Sequence, residues 1–117
     1  MPAFCISVPP LELILDNLSL GILIFTNNKI LLEANLSCGK MLGVSPEIKN
    51  YRENICKAFY NYGLDDHIEK VLAGHKAKMF EVQIDFETNK WLQIETKLIS
   101  NRGISEYIVT IMQDVTQ

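Results

Sequence analysis

The sequence predicts an α+β fold: a five-stranded antiparallel sheet with short helices on one face and a further helix at the N-terminal end. Three observations predict it. The apolar period is 3.6 through the middle of the chain and changes to 2 beyond Gly74. The final third alternates apolar and polar residues in three runs separated by turn residues, as hairpin-linked strands with one wet face do. Two shorter apolar runs near the N-terminus also read as strands and must join an edge of that sheet. The helices between the two groups then have to cross the sheet and cover its apolar side.

Pro9-Pro10 open the first helix, Pro10 suiting its first turn. Leu11, Ile14, Leu15 and Leu18 follow the i, i+3, i+4, i+7 rule for one buried stripe, with Leu13 lying off it. Leu20 to Thr26 is a strand, Asn27-Asn28 a turn, and Ile30 to Ala34 the returning strand. Asn35 can cap a helix that ends at Gly43, where a left-handed residue is wanted. Ser45-Pro46-Glu47 resembles a cap, a first-turn proline and an acidic residue opening a short helical turn. Tyr51, Ile55, Ala58, Phe59 and Tyr62 share one helical face. Leu64, His67, Ile68, Val71 and Leu72 share another, opposite Asp65, Asp66, Glu69 and Lys70, with Gly74 as the stop. Phe80, Val82, Ile84 and Phe86 then alternate with Glu81, Gln83, Asp85 and Glu87. Thr88-Asn89-Lys90 turns this strand into Trp91 to Ile99, and Ser100 to Gly103 turns that into Ile104 to Asp114.

A chain of 117 residues has the length of one domain, read as a leader over 1–10 and a domain over 11–116. With 48% apolar residues it can build an ordinary core without metal or disulfide staples. The 11 basic residues are scattered among 14 acidic ones, so no basic stripe for nucleic acid exists. Leu18 to Phe25 is too short to span a bilayer, so no direct membrane contact is expected, and the N-terminus is a poor signal peptide. Cys5, Cys38 and Cys56 are odd in number and lack CxxC spacing, which fits reduced thiols in a cytoplasmic domain.

Ile14 to Val44 resembles the opening half of a PAS domain. Its leading helix, Gly21 at the first strand, the strand turn, and Asn35 followed by Leu42-Gly43 carry the likeness. Ile111-Met112-Gln113-Asp114-Val115-Thr116 is similar to the Asp-x-Thr signature that hands such domains over to an output linker. The resemblance covers about Leu11 to Thr116. It implies a five-stranded sheet flanked by helices that binds a small molecule, a cofactor or nothing, and relays a conformational change to a covalently linked kinase, cyclase or transcriptional module. Gly21, Asn35 and Gly43 would be its structural motif, and Asp114 and Thr116 its output. A sheet curved over short helices leaves an apolar chamber, here lined by Phe25, Leu42, Ile55, Phe59, Ile68, Phe80, Val82 and Ile94.

The flavin-binding photoreceptor branch keeps Asn-Cys-Arg-Phe-Leu-Gln on the helix where this chain reads Asn54-Ile55-Cys56-Lys57-Ala58-Phe59, so the cysteine is out of register. That branch also places a glutamine where Met112 stands, and Gln113, one residue on, faces the other side of a strand. Haem-binding relatives take an axial histidine about three turns before the helix-terminal glycine. That position falls near Gly63 rather than His67. No flavin, haem or metal is therefore expected. His75 lies in a loop, and neither a nucleophile motif nor a phosphate loop occurs, so an enzyme is not expected. Trp91, Tyr51, Tyr60 and Tyr62 read as packing before ligand contacts, and Cys38 as core filler. Because Leu13 exceeds what one contact stripe needs, a homodimer through the first helix is expected. The competing expectation is a ligand-free interaction module.

Overall fold

A computed structural model of the chain describes residues 11–74, 79–103 and 105–115. Its elements are α1 (Leu11–Asp16), β1 (Gly21–Thr26), β2 (Leu31–Ala34), α2 (Leu36–Leu42), α3 (Tyr51–Asn61), α4 (Asp66–Leu72), β3 (Met79–Asp85), β4 (Lys90–Asn101) and β5 (Ser105–Asp114). The five strands form one antiparallel sheet in the order β2-β1-β5-β4-β3. The first hairpin therefore joins the C-terminal meander through β1 and β5, with Gly21 opposite Met112 and Thr26 opposite Tyr107.

The period-2 pattern sorts the sheet faces. Leu23 and Phe25 of β1, Leu92 and Ile94 of β4, and Ile108 and Met112 of β5 are fully buried. They meet Ile55, Phe59, Leu64 and Ile68 of the helical side in one cluster. Thr96 and Thr110 lie buried in the same face and hydrogen-bond each other at 3.1 Å, so neither hydroxyl is left unsatisfied.

Local signals place α2 as its sequence suggests. The Asn35 side chain accepts the Cys38 amide, and Gly43 ends the helix at φ 77°. Gly74 follows α4 at φ 88°, as a helix stop should. A β-carbon on Gly21 would lie 3.2 Å from the Met41 sulfur and 3.4 Å from Cys38 Cα, so its absence lets α2 settle onto β1.

Several expectations are corrected. The start at Pro9-Pro10 lies outside the described residues, as do Cys5, His75, Ile104 and Thr116. The stripe of α1 is not buried: Leu15 is 7% exposed, but Leu11 is 61%, and Ile14 and Leu18 are exposed too. The helix has six residues and is bonded to the domain at its last two, the Leu15 carbonyl accepting from the Asn35 side chain and the Asp16 carboxylate from the Leu36 amide. The segment after Ser45 forms turns, the Ile48 amide donating to the Ser45 carbonyl at 3.2 Å, without a regular helix. Ser45 does cap them, accepting the Glu47 amide at its hydroxyl, but Asn50 adopts φ 63° and delays the next helix to Tyr51. Tyr62 caps α3 and stands exposed.

Phe86 does not continue the inward row of β3 and is 81% exposed. β3 ends at Asp85, so Phe86 opens the turn, and a bulge just before it has already turned the chain over. Gln83 pairs with Trp91 and Asp85 with Lys90, leaving Ile84 as an extra residue. One extra residue reverses the parity of everything beyond it. β2 carries a similar irregularity opposite Ile24 and Phe25, where Leu32 is extra and exposed. Both bulges sit on edge strands, where they discourage pairing with another sheet.

Candidate functional site

The features singled out by sequence fall into three places: a junction at Asn35, the packed interior, and the end of β5.

Asn35 is 1% exposed and uses its amide fully. Its Oδ1 accepts from the amides of Ile22 at 2.9 Å and Cys38 at 3.3 Å, and from the Cys38 thiol at 3.1 Å. Its Nδ2 donates to the carbonyls of Leu15 at 2.7 Å and Leu20 at 2.8 Å. One side chain thus holds the end of α1, the entry to β1 and the first turn of α2. The main chain of Asn35 adds α3, because its carbonyl accepts the Tyr51 hydroxyl at 2.9 Å. That hydroxyl in turn accepts the Gly39 amide at 2.9 Å. Around the same junction, Asp16 accepts the Leu36 amide at 3.0 Å and the Ser37 hydroxyl donates to the Leu18 carbonyl at 2.6 Å. Sequence reading found Asn35 as a helix cap but missed Tyr51 as its partner, and Gly39 as the partner of Tyr51. Their separation of twelve residues carries no local signal.

The eight residues expected to line a chamber do gather at one place. Phe25, Leu42, Ile55, Phe59, Ile68 and Ile94 are buried, while Phe80 and Val82 pack half-buried against them. The rings of Phe25 and Phe59 meet at 5.6 Å. These side chains contact one another, and a surface cleft of about 500 Å³ beside them is lined by other residues, among them Asp16, Glu33, Asn50 and Arg52. Arg52 and Glu33 pair there at 3.3 Å, with Arg52 well exposed.

His67 stacks on Phe80 with ring centroids 3.3 Å apart. Partial burial, and then the nearby Lys70 charge, hold its imidazole below the ordinary pKa, against a weaker pull from Asp66. The Cys38 thiol is buried, shares its one proton between the Ile22 carbonyl at 3.2 Å and Asn35 Oδ1, and is pushed up to about 12 by desolvation. It is a thiol, not a thiolate, at neutral pH, and so a poor nucleophile. Cys56 on α3 is half-buried, and burial raises its pKa too. Among the described residues, no group of three or more His, Cys, Asp or Glu is placed to hold a metal ion. No helix among them is long and apolar enough to cross a membrane.

At the end of β5, Asp114 lies opposite Leu92 and is exposed. The next amide, that of Val115, donates to the Trp91 carbonyl at 3.0 Å. The chain therefore leaves the sheet at the start of β4, beside the β3–β4 hairpin.

No protein-family model matches the sequence, and no curated protein does. Solved structures do match its fold. The PAS domain of BvgS from Bordetella pertussis superposes with a TM-score of 0.62 at 11% identity, over 91% of this chain and 84% of that one. A sensory box sensor histidine kinase from Vibrio cholerae gives 0.61 at 22% identity, over 92% and 90%. The PAS domain of nitrogen regulation protein NR(II) from Vibrio parahaemolyticus gives 0.61 at 11% identity, over 92% and 100%. The fold of this chain is the PAS fold.

Proposed function

We propose that this chain, which has the PAS fold, is a signal-sensing or relay module that passes a change in its helical layer to an output module joined beyond Val115. The Asn35 junction carries this reading. It ties α1, β1, α2 and, through Tyr51 on the main-chain carbonyl, α3 to one buried residue, so displacement of any of these elements strains bonds to the others. The similar structure from Vibrio cholerae is described as a sensory box sensor histidine kinase, which supports a kinase as the output. In the relay, a ligand or partner shifts a population between two packings, with a coupling on the order of 1–3 kcal/mol. Asp114 and Thr116 would set the direction of exit. The domain would work in the cytoplasm, without catalysis of its own.

Native mass spectrometry of the purified protein tests the reading, since a retained small molecule adds mass and a dimer appears directly. The protein is expected to be colourless, before and after incubation with haem or flavin mononucleotide. His67 is committed to Phe80, and Cys56 stands out of the photochemical register. A Soret band, or a flavin spectrum that bleaches in blue light, would overturn that expectation.

The second reading, a ligand-free dimerisation module, is favoured by the exposed Leu11, Leu13, Ile14 and Leu18 around α1. Burying about 100 Å² of Leu13 in each copy would contribute about 2.5 kcal/mol before association costs. Leu13→Glu is therefore expected to weaken self-association more than tenfold in sedimentation equilibrium. An unchanged dimer constant would move the interface elsewhere.

A further inference from the structure

The β3–β4 hairpin holds a cluster of side-chain bonds that the relay reading does not use. Asn89 sits in the turn at φ 55°, in the left-handed region. Its Oδ1 accepts two hydrogen bonds at once, from Gln83 Nε2 at 2.9 Å and from the Trp91 indole N–H at 2.9 Å. Gln83 and Trp91 are cross-strand partners, and they are the last regular pair before the bulge. The turn beyond is braced by Asp85, whose carboxylate accepts the Glu87 amide at 3.0 Å and the Thr88 amide at 3.3 Å. Bonds to Thr88 hold that carboxyl below its usual range. Trp91 is also the residue whose carbonyl receives the Val115 amide. Glu81, Asn89, Trp91 and Val115 line one cleft of about 250 Å³.

We infer that Asn89 is a positioning residue for the chain's exit. Its single oxygen closes the outer side of the hairpin where the bulge interrupts the ladder. By fixing the indole it fixes the start of β4, to which Val115 is bonded. The direction in which the chain leaves the sheet is thereby set by a hairpin more than twenty residues earlier. The bearing of this bracket on signalling rests on the relay reading, but the bracket itself does not, and it is tested without any output.

The test is amide hydrogen exchange by NMR on the chain with Asn89→Gly and Asn89→Asp. Glycine keeps the positive φ at no steric cost and removes the acceptor. Aspartate tolerates the same φ and keeps an oxygen for both donors. In Asn89→Gly the Val115 amide and the Trp91 indole N–H are expected to exchange on the order of fivefold faster, as loss of neutral hydrogen bonds allows. The Ile22 amide, held by Asn35, is expected to keep its rate, and Asn89→Asp to exchange like the parent. Three results would each overturn the inference: an unchanged Val115 rate in Asn89→Gly, equal loosening in both variants, or acceleration of Ile22 by the same factor.

Discussion

Asn35→Ala is expected to cost the domain about 3 kcal/mol, read as a fall in the urea midpoint at unchanged slope. The change removes a side-chain partner from four backbone groups, but the Leu15 carbonyl still accepts the Leu18 amide and the Cys38 amide still reaches the Asn35 main-chain carbonyl, so the loss falls chiefly on the Leu20 carbonyl and the Ile22 amide. Each group left without a partner costs about 1–3 kcal/mol, and water entering the vacated space recovers part of that. Asn35→Asp separates the two halves of the amide's role. Its oxygens still accept from Ile22 and Cys38, but a carboxylate replaces the donor facing two carbonyls. Burial against those carbonyls raises the folded pKa above the unfolded value of about 3.9. The folded state then binds more protons in that interval, so stability falls as pH rises through it. Asn35→Asp should therefore be least destabilised below about pH 4 and worst near neutrality. A loss under about 1 kcal/mol for Asn35→Ala would mean that the junction is not what holds these elements together.

Gly39→Ala is the second large effect, about 2–4 kcal/mol of lost stability. Helix propensity alone points the other way, since alanine inside a helix gains about 1 kcal/mol over glycine. Sterics decide the sign. A β-carbon at position 39 would stand 2.4 Å from the Tyr51 hydroxyl and 2.6 Å from the Val44 carbonyl oxygen. Tyr51 cannot swing aside without giving up its bonds to Gly39 and Asn35, and the Val44 carbonyl belongs to the chain leaving α2. Tyr51→Phe should cost about 1–2 kcal/mol alone and partly rescue Gly39→Ala, because the tightest of the three close approaches disappears and the ring, whose Cε1 stands 2.9 Å from the added carbon, is freed from the bonds that hold it. Calorimetric melting of the four members of that cycle measures the coupling. Additive losses would show that the alanine is accommodated without touching Tyr51.

Much of this architecture is legible in the sequence, and the legible parts share a cause. Asn35 and Gly43 act within one helix of seven residues, where a free amide and a left-handed terminus are local demands. The inward rows of β1, β4 and β5 follow from alternation, which needs no knowledge of the partner strand. Element order, helix stops and the gathering of Phe25, Ile55, Phe59 and Ile68 into one interior come from the same local periodicities. The resemblance carried by Gly21, Asn35, Leu42-Gly43 and the terminal Asp114 pointed to the fold that the similar structures share.

What periodicity cannot supply is the identity of a neighbour. The stripe of α1 is well formed as a pattern, yet the fold covers Leu15 and leaves Leu11, Ile14 and Leu18 in the open. Phe86 keeps perfect alternation in the sequence and still points away from the core, since a bulge is a property of two strands in register and not of one. Tyr51 reaches Asn35 and Gly39 across more than ten residues, and Trp91 receives Val115 across more than twenty. Such pairs are chosen by crossovers and by sheet order. The sequence by itself determined the order of the elements, the inward rows of β1, β4 and β5 and the helix stops at Gly43 and Gly74, because backbone geometry repeats along a single strand or helix. Only the tertiary structure decided which buried groups share a hydrogen bond and where the chain's exit is held, because those contacts arise when separate elements are brought to one place.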